Sequence, residues 1–398
     1  MEPQVYPEVK THSRSKDVLA PYDVTAWTLP YLMGVRCVRL DKPIKLELHS
    51  ADTVYARPHG FLIPISETAE WAFSARQNDS YAVVARFLRQ EKPVRQLLQA
   101  AGDIRGMHLD AGTFLVTLSR KEVVESRILE TVRAEALSPP ERESGRRPRE
   151  RSLTLPRIGI YQSWIPSEDE GWTRFVLDAF DFPYKVLHNA DIQAGDLNLT
   201  YDVVLFPDQD PEEIVEGRTA GGDSIPPVPE FAGGVGQKGV RALRKFVQEG
   251  GTLMAFGDAV GFAIHDLRAP CSDAAERLSR DVFSTPGTLL RAEVNTSHPL
   301  GFGMPDTTMV FRTEDPVLTF SRGRSARGAA VVRYDAGPDL VASGWARGAE
   351  LLSRKGALIE IESGKGSFVL FGFRPQFRGQ THGTYRLILN TLLDAGAD

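Results

Sequence analysis

Gly250-Gly251-Thr252-Leu253-Met254-Ala255-Phe256-Gly257-Asp258-Ala259 is the stretch from which the fold is read. Paired glycines end a helix, because glycine takes the left-handed backbone of a C-cap without steric cost. Thr252 to Phe256 is a short apolar run, the pattern of a strand covered on both faces. Gly257-Asp258-Ala259 then turns the chain sharply toward another helix. Upstream, Gly239 to Glu249 carries Val240, Leu243, Phe246 and Val247 on one side, which is helical spacing. Further upstream the same rhythm gives strands at Arg157–Tyr161, Tyr184–Leu187 and Tyr201–Asp208, with a helix at Gly171–Phe180. Downstream it gives a strand at Ser367–Phe373 and a closing helix at Thr384–Leu393. Strands alternating with helices predict an α/β fold, a flavodoxin-like doubly wound parallel sheet with right-handed crossovers. Residues 288–362 hold several short strands with Gly-rich turns, expected as an antiparallel, β-rich insertion. The Gly- and Pro-rich loop between Glu216 and Gly239 is long enough to be either functional or disordered.

The first part of the chain reads differently. Residues 1–45 contain Pro3, Pro7, Pro21, Pro30 and Pro43, so only short elements fit between turns, and an extended N-terminal arm anchored by Trp27 is expected. Residues 46–137 predict a small α/β domain preceding the larger one. Its expected strands are Leu46–Leu48, Gly60–Ile65 and Gly112–Leu118, with extended chain at Pro93–Leu97. Its expected helices run from an N-cap at Asn78–Ser80 through Leu88, and from about Lys121 to Ala136. Residues 138–155 are dense in Arg, Glu and Pro and read as a charged linker. Residues 156–398 form the larger α/β domain.

Composition bounds the function. The chain has 398 residues, 42% hydrophobic and 25% charged, with a net charge of −5. That balance gives no reason to expect nucleic acid or an anionic membrane as partner. No apolar run is long enough to span a bilayer, and Met1 to Asp17 lacks the basic-then-apolar pattern of a secretory signal. The expected protein is therefore soluble, with its compartment unknown. Cys37 and Cys271 are the only cysteines, too few for a disulfide framework or a cysteine-rich zinc site.

In a sheet of this kind ligands sit outside the carboxyl ends of the strands. That rule nominates Gln162, Trp164, Asp208, Asp258, Arg374 and Gln376. The turn at Gly257-Asp258-Ala259 is where such a fold carries a nucleophile, and a nucleophile elbow needs Cys or Ser at its tip. Asp258 stands there instead, and aspartate at a helix start is expected to cap free amides. The larger domain resembles the class I glutamine amidotransferases, whose pattern places His-Pro-Glu after the last strand. Here the chain reads Arg374-Pro375-Gln376. Arginine cannot accept a proton at neutral pH, and glutamine cannot orient an imidazole as a carboxylate does. Thiol-based amide hydrolysis is therefore excluded, and no residue is assigned as catalytic. His382 could serve as a base, but no nucleophile is evident for it. None of the eight histidines has Glu three residues on; His49…Asp52 and His188…Asp191 come closest to a zinc motif. Gly233 to Gly239 lacks the Lys-Ser/Thr of a phosphate loop.

Four segments carry a further resemblance: Pro21–Pro30, Glu168–Arg174, Gly250–Ala259 and Phe373–Thr384. They are similar to the large non-catalytic region that bacterial zinc carboxypeptidases carry after their catalytic domain. In that family the zinc ligands and catalytic glutamate lie upstream of the Tyr22–Pro30 motif, so none transfers to this chain. The resemblance implies a non-catalytic accessory portion of a carboxypeptidase-like protein. It needs no cofactor of its own, and zinc would come only with a peptidase domain supplied from elsewhere as partner. A peptide or glycan ligand is expected at a cleft lined by Asp208, Asp258, Arg374, Gln376, Arg378 and His382. Arg374 and Arg378 pairing with Asp258 and other carboxylates to hold the turn is the structural alternative. Two other functions stay open: a hydrolase built on Asp258 and His382, and a small-molecule sensor.

Overall fold

A computed structural model of the chain describes residues 68–104, 107–125, 149–217, 231–320 and 327–397, with residues 8–10, 16–18, 26, 28–38, 40, 42 and 134–137. The expected strands at Leu46–Leu48 and Gly60–Ile65, like Trp27, lie outside the described residues.

The parallel part of the main sheet is built from β1 (Ile158–Tyr161), α1 (Glu168–Ala179), β2 (Tyr184–Leu187), β3 (Val203–Phe206), α2 (Gly236–Gln248), β4 (Thr252–Phe256), α3 (Ala259–His265), β5 (Gly366–Phe371) and α4 (Tyr385–Ala395). Its strands lie in the order β2-β1-β3-β4-β5, each parallel to its neighbour. That is the flavodoxin-like strand order. Alternation along each strand divides the core. Ile158, Ile160, Val203, Leu205, Met254 and Phe256 pack on one face with Val176 of α1 and Leu389 of α4. Tyr161, Val204, Phe206, Leu253 and Ala255 pack on the other with Leu243 of α2 and Phe262 of α3. Past β5 the same sheet continues antiparallel through Gly356–Ser363, Gly328–Tyr334, Thr288–Val294 and Thr307–Arg312.

Ahead of β1 stands a five-stranded antiparallel sheet in the order Ala134–Leu137, Thr68–Phe73, Phe114–Ser119, Val94–Leu97, Glu150–Leu153. The helix Asn78–Arg89 packs with it in the shared core. Two expectations are corrected here. Ala134–Leu137 is a strand paired with Glu70–Phe73, not the end of a helix from Lys121, whose described part stops at Glu125. Local preference for a helix in Ala-Glu-Ala-Leu yields to the unpaired edge of the neighbouring strand. Glu150–Leu153, placed in the charged linker by its composition, is also a strand. Its charges have cross-strand and tertiary partners: Arg95 bridges Glu70 and Glu150, and Arg151 reaches Asp394 of α4.

The two sheets share one hydrophobic cluster, in which Trp71, Phe73 and Val116 join Leu387, Ile388 and Leu392. At its centre Asn390, buried on α4, accepts a hydrogen bond from the Tyr81 hydroxyl (2.7 Å) and donates to the carbonyls of Leu300 (3.1 Å) and Phe302 (2.8 Å). An Asn390→Ala substitution strands all three partners and is expected to cost roughly 3 kcal/mol, against about 1 kcal/mol for Tyr81→Phe. Urea denaturation of the two variants checks the ranking.

Candidate functional site

The carboxyl ends of β3, β4 and β5 meet at Arg374, which follows the last strand residue, Phe371, after a two-residue step through Gly372 and Phe373. Its backbone N–H donates to the carbonyl of Phe311 (3.0 Å), and neighbouring Phe377 stacks on the Phe311 ring at 3.9 Å. These contacts aim the guanidinium into a cluster of acids. Nη1 lies 2.9 Å from Asp169 in the first turn of α1, Nη2 lies 2.8 Å from Asp208 after β3, and Nε lies 3.4 Å from Asp315. Asp315 is itself fixed by Thr313, whose N–H (2.7 Å) and hydroxyl (3.0 Å) donate to it, and by Arg312, which donates to its carbonyl. Arg312 is fully buried and also lies 4.9 Å above the Phe283 ring.

Asp258 is tied to this cluster through its backbone, whose N–H donates to Asp208 Oδ1 at 2.7 Å. Its side chain makes no capping hydrogen bond to α3, so the expectation of a helix cap is corrected. The turn works because Gly257 has a φ of +54°, and a Cβ there would sit 2.0 Å from Asp208 Oδ1. Only glycine lets the two strand ends approach this closely.

Crowding shows in the protonation equilibria. Burial pushes the pKa of the Asp208 carboxyl up to about 7, with Asp315 and Asp258 adding to that rise against the pull of Arg374. Asp258 is open to solvent over part of its surface, yet its carboxyl is pushed up to about 6, by the surrounding protein first and Asp315 second. Asp169 is raised, again chiefly by burial. Arg374 has its proton held more tightly than usual: burial opposes the charge, but Asp315, Asp208 and Asp169 outweigh it.

The remaining nominated residues divide. Arg378, lying over the Phe377 ring at 5.0 Å, lines the same cavity as Arg374 and Asp208, a space of ≈ 410 Å³. Gln376 does not line it: it is fully buried, donating to the Thr173 hydroxyl (3.1 Å), which donates in turn to the Asp169 carbonyl (2.6 Å). It supports the cluster from beneath and cannot touch a ligand there. His382 is also elsewhere, stacked on Tyr385 at 4.8 Å, with its carbonyl accepting from Asn78 (3.0 Å). Among the described residues no hydrogen bond or ion pair joins it to Asp258. Arg374 pairs with carboxylates as the structural alternative required, although Asp258 is not a direct partner. Trp164 stacks on His188 at 4.1 Å, and the His188…Asp191 pair is a capping box in which the His188 N–H donates to Asp191 (2.8 Å). His49 and Asp52 lie outside the described residues. Asp169, Asp315 and Arg312 were not nominated from sequence. Asp169 had one signal, an acidic first helical turn facing the strand ends; Asp315 and Arg312 had none.

Among the described residues, one group of side chains is close enough to share a metal ion: Asp208, Asp258 and Asp315, with ligand oxygens within 4.8 Å of one another. The set contains no imidazole or thiolate, and Arg374 already sits against two of its members. It does not fit a peptidase-type zinc.

No protein-family model matches the chain, and no curated protein matches it. Solved structures do. The cytoplasmic protein STM3548 from Salmonella typhimurium is 15% identical over 60% of this chain and 98% of its own, with a TM-score of 0.38. A protein described as ThuA-like from Bacteroides uniformis is 12% identical over 59% and 88%, with a TM-score of 0.31. A GMP-synthase-type protein from Thermoplasma acidophilum is 8% identical over 60% and 94%, with a TM-score of 0.35. The flavodoxin-like assignment rests on the strand order itself. No described helix is long and apolar enough to cross a membrane.

A carboxyl whose folded pKa lies above its unfolded value near 4 binds its proton more tightly in the folded protein, so stability is lost as pH rises from about 4 toward 7. Asp208 and Asp258 both contribute such a loss. Asp208→Asn removes the Asp208 share. Its stability relative to the parent is expected to shift in the variant's favour across pH 4–7, as read by urea denaturation at stepped pH; a parallel pair of curves contradicts the assignment.

Proposed function

We propose that this chain is a non-catalytic binding module on a glutamine-amidotransferase-like frame, the accessory portion of a zinc carboxypeptidase-like protein. One observation carries the first half of this reading. At the positions where an amidotransferase-like fold would hold nucleophile and base, this chain has Asp258 and Arg374, and Arg374 is held by three carboxylates. A guanidinium so bound accepts no proton and makes no hydrogen bond that activates Asp258. The cluster organises a crevice and leaves its chemistry incomplete. The carboxypeptidase half is supported by the motifs at Pro21–Pro30, Glu168–Arg174, Gly250–Ala259 and Phe373–Thr384.

The cavity beside Arg374 is lined by five carboxylates, Glu168, Asp169, Asp208, Asp210 and Glu213, against two guanidiniums, those of Arg374 and Arg378. Such a wall favours a ligand bearing positive charge, as a peptide does at its N-terminus or basic side chains. The purified protein is expected to show no turnover on a peptidase and amidase panel, with or without added zinc. Turnover that disappears in Asp258→Ala would refute the non-catalytic reading.

A further inference from the structure

Two exposed surfaces of this chain have opposite character. The first adjoins the Arg374 cavity. Trp172 of α1 lines that cavity together with Phe377, and Phe175, one turn further along α1, meets Trp172 edge-to-face at 6.0 Å. The pair is seated on the turn after β5. A Cβ on Gly379, whose φ is +65°, would lie 3.2 Å from the Phe175 ring and 3.4 Å from the Trp172 ring. Yet 52% of Phe175 stays exposed. The result is an aromatic shelf beside a cavity whose walls carry five carboxylates against two guanidiniums.

The second surface lies in the stretch Val35-Arg36-Cys37-Val38-Arg39-Leu40-Asp41-Lys42. It follows the short helix Leu29–Met33, and its described residues, Val35 to Val38, Leu40 and Lys42, are all exposed and outside regular secondary structure. Val38 is 72% exposed and Leu40 60%. Single exposed aliphatic side chains are ordinary, but Val35, Val38 and Leu40 interleaved with cations make one strip that is both apolar and basic. It complements the acidic, aromatic groove in charge and in apolar content. Its root is close to the shelf. A Cβ on Gly34 would lie 2.8 Å from Gly383 Cα, and Gly383 donates its N–H to the Leu32 carbonyl at 3.0 Å. Gly383 is four residues beyond Gly379 in the same turn, so the strip starts within roughly 15 Å of the shelf. Within one chain the two do not cover each other, since Phe175 and Val38 are both open to solvent. Eight extended residues reach about 26 Å beyond Gly34, enough to cross to a facing molecule.

We infer that the strip Val35–Lys42 of one chain docks on the groove of a second copy, with Val38 and Leu40 against Trp172 and Phe175 and the cations of the strip at the carboxylate-lined cavity. The contact is reciprocal, because two copies facing each other about a two-fold axis each present both parts. The inference rests on the reading of the crevice as a binding site, and names the partner it takes.

Sedimentation equilibrium of the full chain is expected to show a monomer–dimer equilibrium. Val38→Asp on the strip and Phe175→Gln on the shelf are each expected to raise its dissociation constant about tenfold or more. Both positions are exposed and glutamine is a good helix former, so neither change endangers the fold, which thermal unfolding of the variants checks. The acetylated and amidated octapeptide of residues 35–42, carrying Cys37→Ser, is expected to bind the full chain, to dissociate the dimer and to lose its binding in Phe175→Gln. A chain that stays monomeric at roughly 100 μM, or a dimer equally tight in both variants, overturns the inference. Peptide binding to a chain that remains monomeric overturns it as well, and points to a basic, apolar segment of another protein. Turnover on the amidase panel would refute the non-catalytic reading while leaving the dimer measurements intact.

Discussion

Arg374 is the group around which this end of the molecule is organised. Its guanidinium joins the first turn of α1 through Asp169, the end of β3 through Asp208 and the loop carrying Asp315. Bringing four charges out of water is expensive, and their mutual attraction offsets that cost only when further hydrogen bonds satisfy the remaining lone pairs. The surrounding structure supplies them: Thr313 donates twice to Asp315, the Asp258 N–H donates to Asp208, and Gly257 leaves room for that approach. The raised pKa values of Asp208 and Asp258 record burial first, and after it the neighbouring acids that Arg374 only partly offsets.

The same arrangement is what the proposed non-catalytic reading rests on. A base must exchange its proton and a nucleophile must be free to approach substrate. Arg374, held by three carboxylates, does neither. Beside the cluster lie two adjoining cavities that share Pro166, Ser167, Glu168 and Gln209, the larger one lined by five carboxylates. Helix α4 is tied through Asn390 to Tyr81 of the helix Asn78–Arg89, which packs in one core with the smaller antiparallel sheet, and to the carbonyls of Leu300 and Phe302.

Much of the larger fold was legible along the chain. Ile158–Tyr161, Val203–Phe206 and Thr252–Phe256 are strands because local apolar runs, bounded by glycine or a helical pattern, have one low-energy use in a sheet covered on both faces. The errors fell where pairing overrules local preference. Ala134–Leu137 has good helix formers but completes the edge beside Glu70–Phe73, and the charges of Glu150–Leu153 suggested a linker because their partners, Arg95 and Asp394, are far away in sequence.

The site divides in the same way. Asp208, Asp258 and Arg374 could be nominated because strand ends are visible in the sequence and ligands gather there. Their partners could not. Asp169 and Arg374 are 205 positions apart, and Asp315 enters from the antiparallel extension, so no local pattern links them. Gln376 and His382 stand near Arg374 in the sequence, yet the turn after β5 buries one beneath the cluster and carries the other to Tyr385. The sequence by itself determined which segments become buried strands and that the turn after β4 carries Asp258 where a nucleophile elbow needs Cys or Ser, because both depend on residue type and short spacing. Only the tertiary structure decided which carboxylates meet Arg374, because that depends on how distant segments converge.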